Sequence, residues 1–458
     1  MIARLSFAIL ILLAAVPAAS QEPTGYDRAL AAGYKAQFLC SGLWNGGRTQ
    51  AQVEQDELSG IYERIAAIVP TLPAEIDEEA DQVRVAFDAA MPPRVAQWRD
   101  GLGCAGLPIG ARPEDGRSLP AFATTNGVET FDGRRWPMGD SGAQAPLPRS
   151  LTELEQVVGS AVRRSAFGGR TSAVLIVQDG HILVERYAEG HDRHTSQRTW
   201  SVAKSLAATL IGHAVQRGLI RTDEAAALAA WRTPGDPRAA ITVDQLLRMA
   251  SGLTSDTAGN RTDAIYMGGT AIADRAPHWP LLHPPGSTYR YANNDSLLAI
   301  RALMERLPEA DRRGFPLTYF RRIGLTRTIA ETDWRGDFIL SSQVWTTARD
   351  LARLGLLYLN DGVWEGERLL PEGWRDYVTR ASGPQPGGPF GYGAAFWLMN
   401  RSEGVPPDAF AGFGNRGQYL VIVPSRDLVI VRRGYDTAQD RFDIAAFTRA
   451  AVEAADPS

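Results

Sequence analysis

Thr199-Trp200-Ser201-Val202-Ala203-Lys204-Ser205 is the stretch on which the reading of this chain turns. It holds one of only two lysines, Lys35 and Lys204, among 48 basic residues. Positions i and i+3 of a helix share a face, so Lys204 Nζ reaches Ser201 Oγ. Arginine keeps its proton near neutral pH, whereas a lysine shielded from water gives it up and acts as a base. Ser-x-x-Lys is the arrangement of a serine nucleophile activated by a lysine. The same four-residue pattern also arises on ordinary helix surfaces, so the chemistry needs further parts. Lys35 reads as a solvated surface residue.

Outward from this stretch, helices and strands alternate in blocks. The Ser201 helix runs to about Arg217 and stops at Gly218. Upstream, Leu151 to Ser165 has helical spacing. Ala173 to Gln178 and His181 to Tyr187 are apolar runs joined by Asp179-Gly180, a strong hairpin signal. Downstream, Thr242 caps a short helix ending near Ala250, and Gly252 terminates it. Asp295 to Arg306 and Thr347 to Asn360 are helices, the second with Thr347 and Asp350 as an N-cap pair. Ala394 to Met399, Gln418 to Val423 and Leu428 to Arg433 read as strands, and Asp440 to Ala454 as an amphipathic helix. The economical fold is α+β. One antiparallel sheet is assembled from both ends of this region, helices cover both faces, and a helical insert hangs over one end.

Acyl transfer also needs a proton carrier for the leaving group and donors for the oxyanion. Tyr291-Ala292-Asn293 follows the turn-rich Pro284-Pro285-Gly286-Ser287-Thr288-Tyr289-Arg290, which holds Tyr291 on a rigid loop. The tyrosine hydroxyl is the expected proton shuttle, its ionised form favoured by a nearby ammonium. The Asn293 amide is expected to bond Lys204 and the substrate carbonyl. Gly412-Phe413-Gly414-Asn415-Arg416-Gly417-Gln418 reads as a glycine-rich turn before a strand, where backbone passes close to a ligand. The N–H groups of Ser201 and Asn415 are the expected oxyanion donors.

Four ordered motifs carry a resemblance. They are Thr-Trp-Ser201-Val-Ala-Lys204-Ser, Leu246 to Leu253, Pro285-Gly286-Ser287 leading to Tyr291-Ala-Asn293, and Gly412 to Gln418 followed by Leu-Val-Ile-Val-Pro424. Over residues 150–455 the chain resembles the class C β-lactamase-like serine hydrolases, which include D,D-peptidases, esterases and 6-aminohexanoate-oligomer hydrolases. It looks closest to the last group. The resemblance implies a three-layer αβα sandwich, a helical domain, and an active site between them. It implies Ser201 as nucleophile, Lys204 as activating base and Tyr291 as general acid/base, and it aligns Tyr266 with a substrate-side tyrosine. In place of a Lys-Thr-Gly strand the chain has Gly412-Phe413-Gly414, with Arg416 nearby. Efficient β-lactam hydrolysis is therefore not expected, and an ester or linear amide is the expected small-molecule substrate. The competing reading is a penicillin-binding-like protein of the same fold: a D,D-peptidase, a weak β-lactamase or a non-catalytic binder.

Composition fits this class. The chain is 44% hydrophobic and 22% charged with a net charge of -4, which leaves no basic footprint for nucleic acid. Residues 1–20 read as a signal peptide. Arg4 precedes an apolar run from Phe7 to Val16, and Ala18-Ala19-Ser20 precede the cut. Export to the periplasm or medium is expected, with no stable membrane insertion after cleavage. An oxidising compartment favours a Cys40–Cys104 bridge over two free buried thiols. Residues 21–110 read as a mostly helical accessory region, with helical spacing over Gln52 to Ile68 and Asp77 to Ala90. Residues 111–150 read as a linker or wrapping segment, and 151–455 as the catalytic domain. No cofactor or metal is expected. His191-Asp192-Arg193-His194, with His181, lacks His-Glu-x-x-His spacing.

Overall fold

The computed structural model describes residues 22–122, 131–143, 151–254 and 262–455. The expected signal segment lies outside them. Among the described residues no helix is long and apolar enough to cross a membrane.

The N-terminal unit starts with helix α1 (Gly25–Cys40). Thr24 caps it through a reciprocal bond with Asp27. Two short helices follow, α2 (Gln50–Asp56) and α3 (Glu63–Ala66), broken apart around Gly60 at φ +62°. The expected helix over Asp77 to Ala90 is not formed. Strands β1 (Ala74–Asp77) and β2 (Gln82–Val85) pair instead, followed by β3 (Arg94–Arg99) and β4 (Gly103–Gly106) in one antiparallel sheet. Ile76, Ala80, Val83 and Phe87 do fall at helical spacing, but Val83, Val85 and Phe87 also alternate. Burying Val83 and Val85 in the core decides for the strand. The unit is thus half helix and half sheet, tied by a disulfide between Cys40 at the end of α1 and Cys104 in β4.

Lys35 is not a surface residue. It is 6% exposed on α1, and its Nζ donates to the Leu72 carbonyl at 2.8 Å. The ammonium thereby tethers the chain that leads into β1.

The main unit is a seven-stranded antiparallel sheet. In chain order its strands are β5 (Thr171–Gln178), β6 (His181–Tyr187), β7 (Gly391–Tyr392), β8 (Trp397–Leu398), β9 (Phe410–Gly414), β10 (Gln418–Val423) and β11 (Leu428–Gly434). Their order across the sheet is β7-β8-β9-β10-β11-β5-β6, so strands from both ends of the unit meet at the β11–β5 pair. The two faces bury different halves of the same strands. Val174, Ile176, Val421 and Ile430 pack under α4 (Thr152–Val162) and the C-terminal helix α8 (Ile444–Ala455). Leu175, Val177, Ile422 and Val431 pack under α5 (Val202–Gln216) and α7 (Ala348–Leu359). That is the expected αβα sandwich. Helix α6 (Asn293–Met304) and the short helix at Val243–Leu247 form the helical layer beside α5, and the short helix at Asp263–Tyr266 lies against α1.

Three local expectations differ. The Gly412–Gly414 stretch is strand β9, not a turn, because glycine lets the strand lie against the backbone of the Ser201 segment. The strand expected over Ala394 to Met399 shrinks to Trp397–Leu398, since Ala395 sits at φ +60°. The last helix begins at Ile444, after Asp436 and Asp440 have turned back to bond the Gly169–Arg170 backbone.

The two units are joined by buried polar contacts. Glu331 of the main unit accepts from Ser41 Oγ at 2.6 Å, Asn45 Nδ2 at 2.8 Å and the Cys104 N–H at 3.2 Å. Arg94 of β3 donates to the Met267 carbonyl at 2.9 Å. Of the segment between the units, residues 131–143 lie against the main unit, where Arg353 donates to the Gly139 carbonyl and Trp136 Nε1 to that of Gly180.

Candidate active site

Ser201 sits at the N-terminal end of α5 as its N-cap residue. Trp200 before it is held at φ +50°, a strained conformation for a bulky residue. Its ring is clamped under the Arg198 guanidinium at 3.8 Å, and that turn aims Ser201 at the cleft. One helical turn on, Lys204 is 1% exposed. Its Nζ lies 3.1 Å from Ser201 Oγ, 2.6 Å from Asn293 Oδ1 and 2.7 Å from the Ser341 carbonyl. Burial pushes the Lys204 pKa well below its ordinary value, and the Arg198 charge adds to this. A neutral amine has two N–H donors and one lone pair. In that form Asn293 Oδ1 and the Ser341 carbonyl would take the two donors, and the third neighbour of Nζ is the Ser201 hydroxyl.

Tyr291 approaches from the loop before α6. Its ring centre is 5.1 Å from Lys204 Nζ, and its hydroxyl is directed at Ser201 and Trp397. Burial pushes its pKa up to about 12, against the pull of those two groups. That shift favours the protonated phenol at neutral pH over the ionised form expected from the sequence. Asn293 is the first residue of α6. One of its amide N–H groups is used on Thr262 Oγ1 at 3.0 Å, so its main duty is to hold Lys204. Tyr266 bonds Ser341 Oγ at 2.5 Å and borders the cleft.

The far wall is β9 and its turn. A Cβ on Gly414 would stand 2.2 Å from the Thr199 carbonyl, so only glycine permits this approach. The approach brings Asn415 to the cleft that Ser201 lines. Arg416 does not line the pocket at Ser201. It is 6% exposed and donates to the Asp56 and Ser59 carbonyls at 2.7 and 2.8 Å, fastening the N-terminal unit to the β9–β10 turn.

The resulting cavity of about 360 Å³ gathers Ser201, Tyr291, Asn293, Asn415 and Tyr266. Among the described residues its lining carries no charged side chain, and its remaining walls are largely aromatic, including Trp397, Phe413 and Tyr419. Several contributors escaped the sequence reading. Ser341 meets Lys204 through a contact formed only by folding, and the Arg198 charge, three residues before Ser201, helps to lower the Lys204 pKa. Tyr62, from the N-terminal unit, lines the cleft although nothing before residue 150 suggested chemistry. The histidines do not line it. His194 lies 3.8 and 3.9 Å from Asp140 and Asp132, and both carboxylates are paired with arginines.

Comparison with known proteins gives the following. The family model described as Beta-lactamase matches residues 161–447. A 6-aminohexanoate-dimer hydrolase of Paenarthrobacter ureafaciens is 26% identical over 292 residues, 57% of this chain and 72% of that protein. A penicillin-binding protein homolog from Caulobacter crescentus superposes with a TM-score of 0.51 at 18% identity, over 68% of this chain and 99% of that one. A class C beta-lactamase gives 0.51 at 13% identity, over 67% and 96%. At such identities these two structures speak to the fold alone.

Proposed function

This chain belongs to the beta-lactamase family and is a serine hydrolase, and we propose that it cleaves an ester or linear amide through an acyl-enzyme on Ser201. The observation that carries this reading is the buried Lys204 amine, aimed at Ser201 Oγ by Asn293 and Ser341. Neutral Lys204 takes the Ser201 proton as Oγ attacks the carbonyl carbon. The Ser201 and Asn415 N–H groups hold the oxyanion, helped by the N-terminal end of α5. As the tetrahedral adduct collapses, Tyr291 gives its proton to the departing alcohol or amine and recovers one from the Lys204 ammonium. Water then enters, losing a proton to the same pair as it attacks the acyl carbon, and Ser201 is released protonated.

Among the described residues the pocket at Ser201 has no charged lining residue, which supports a neutral group beside the reacting carbonyl over one anchored there by a carboxylate. The aminohexanoate-dimer relative supports amide cleavage. Rates on p-nitrophenyl acetate, a linear anilide and nitrocefin test the choice. Turnover of the ester or anilide above nitrocefin is expected; nitrocefin as the best of the three would overturn it. We further propose that the apolar leader directs export and that the protein acts in the periplasm or medium. The Cys40–Cys104 bridge supports this, because such bridges persist in oxidising compartments. Fractionation of cells carrying a C-terminally tagged chain tests it, and recovery in the cytoplasm alone would refute it.

A further inference from the structure

The cleft at Ser201 does not end at Asn415. It continues into a second cavity of about 670 Å³, and the two share Tyr62, Trp200, Gly414, Asn415 and Tyr419. One wall of the continuation is residues 60–63 of the N-terminal unit. The other is the loop 436–441 that follows β11. Residues 60–63 lie before the family match, which starts at 161, so one wall of this space comes from a part of the chain outside the shared domain.

The side on which it opens is informative. Tyr291 and Asn293 border the cleft but not the continuation, whereas Asn415 borders both. A leaving group must lie beside its proton donor, Tyr291, and the carbonyl oxygen beside Asn415. A substrate chain that runs past Asn415, away from Tyr291, is the acyl portion. Its first atoms would pass between Tyr62, set edge-on to Trp200 at 6.2 Å, and Tyr419. Its end would reach the rim at Glu63 and Arg441. The volume is that of a small-molecule site. The wall is also held in place. Arg416, next to Asn415, grips the Asp56 and Ser59 carbonyls, so the turn that presents the oxyanion donor also fixes the segment carrying Tyr62.

We infer that the N-terminal unit completes an acyl-chain subsite, in which residues 60–63 and the loop 436–441 receive an extended acyl group. The inference rests on the acyl-enzyme reading above. Ala438, exposed on one wall, and Glu63, exposed on the other, allow the space to be filled from either side without touching the core. The experiment compares kcat/KM for p-nitrophenyl octanoate and p-nitrophenyl acetate in wild type, Ala438→Trp and Glu63→Trp. The octanoate-to-acetate ratio should fall by about tenfold or more in each variant, the scale on which a pocket discriminates chain length. A smaller change in both variants, with acetate still turned over, overturns the subsite. Wild type that neither turns over acetate nor takes a fluorophosphonate label would sink the acyl-enzyme reading instead.

Discussion

Lys204→Arg keeps the positive charge and most of the stem but removes the base. The native amine sits 2.6 Å from Asn293 Oδ1, 2.7 Å from the Ser341 carbonyl and 3.1 Å from Ser201 Oγ. Those acceptors suit a guanidinium, so the variant has partners for its charge and a reason to fold. It has no lone pair to offer Ser201 at any accessible pH. Loss of a general base costs roughly 10²–10⁴ in rate. At about 1.36 kcal/mol per decade this is about 2.7–5.4 kcal/mol of lost transition-state stabilisation. The pH profile carries a second signature. The Lys204 pKa is depressed, so the wild-type base is present above that value and lost as pH falls through it. Tyr291 keeps its proton to about 12, so no falling limb should come from it below that pH. The wild-type kcat/KM on p-nitrophenyl acetate should rise with pH and level off, and the residual Lys204→Arg rate should lack that limb. Thermal melts confirm folding. A folded Lys204→Arg enzyme within tenfold of wild type, with the limb intact, would show that Lys204 only positions its neighbours.

Tyr291→Phe should slow acyl transfer by roughly 10²–10⁴ at nearly unchanged KM, and a loss under about tenfold would reassign the proton donor. Gly414→Ala places a methyl 2.2 Å from the Thr199 carbonyl and must push β9 away from Ser201. The removal of one oxyanion donor costs about 10²–10³ in kcat, and steady-state kinetics should show a fall of that order with the fold retained. Wild-type kcat in Gly414→Ala would remove Asn415 from the oxyanion site. Reduction of the Cys40–Cys104 bond opens a loop spanning 64 residues. Denaturant titration of Cys40→Ser/Cys104→Ser should show a loss of about 3–4 kcal/mol in the chain-entropy account, and unchanged stability would mean the N-terminal unit holds without it.

What the sequence disclosed followed from how local each signal is. Ser201 and Lys204 are one helical turn apart, and Tyr291 and Asn293 two residues apart, so spacing alone relates them. Strands β5, β6, β10 and β11 of the main sheet are longer apolar runs, the first two joined by an Asp-Gly turn, and they were readable too. The N-terminal sheet was not. Its strands are four to six residues long, and Ile76 to Phe87 satisfies two periods at once until Val83 and Val85 find the core. Strand β9 was hidden because Gly412-Phe413-Gly414 lacks the β-branched residues that mark strands, its glycines serving close approach instead. Tyr62 and Ser341 come from segments far along the chain. Only the fold brings them to Lys204 and Ser201, and no motif spans them.

The central claim is that Ser201 is an activated nucleophile. Its most direct test is the intact mass of wild type and Ser201→Ala after exposure to a fluorophosphonate probe. The account predicts one adduct on the wild type and none on the variant. An equal adduct on both proteins, or none on a wild type that turns over its substrate, would contradict it.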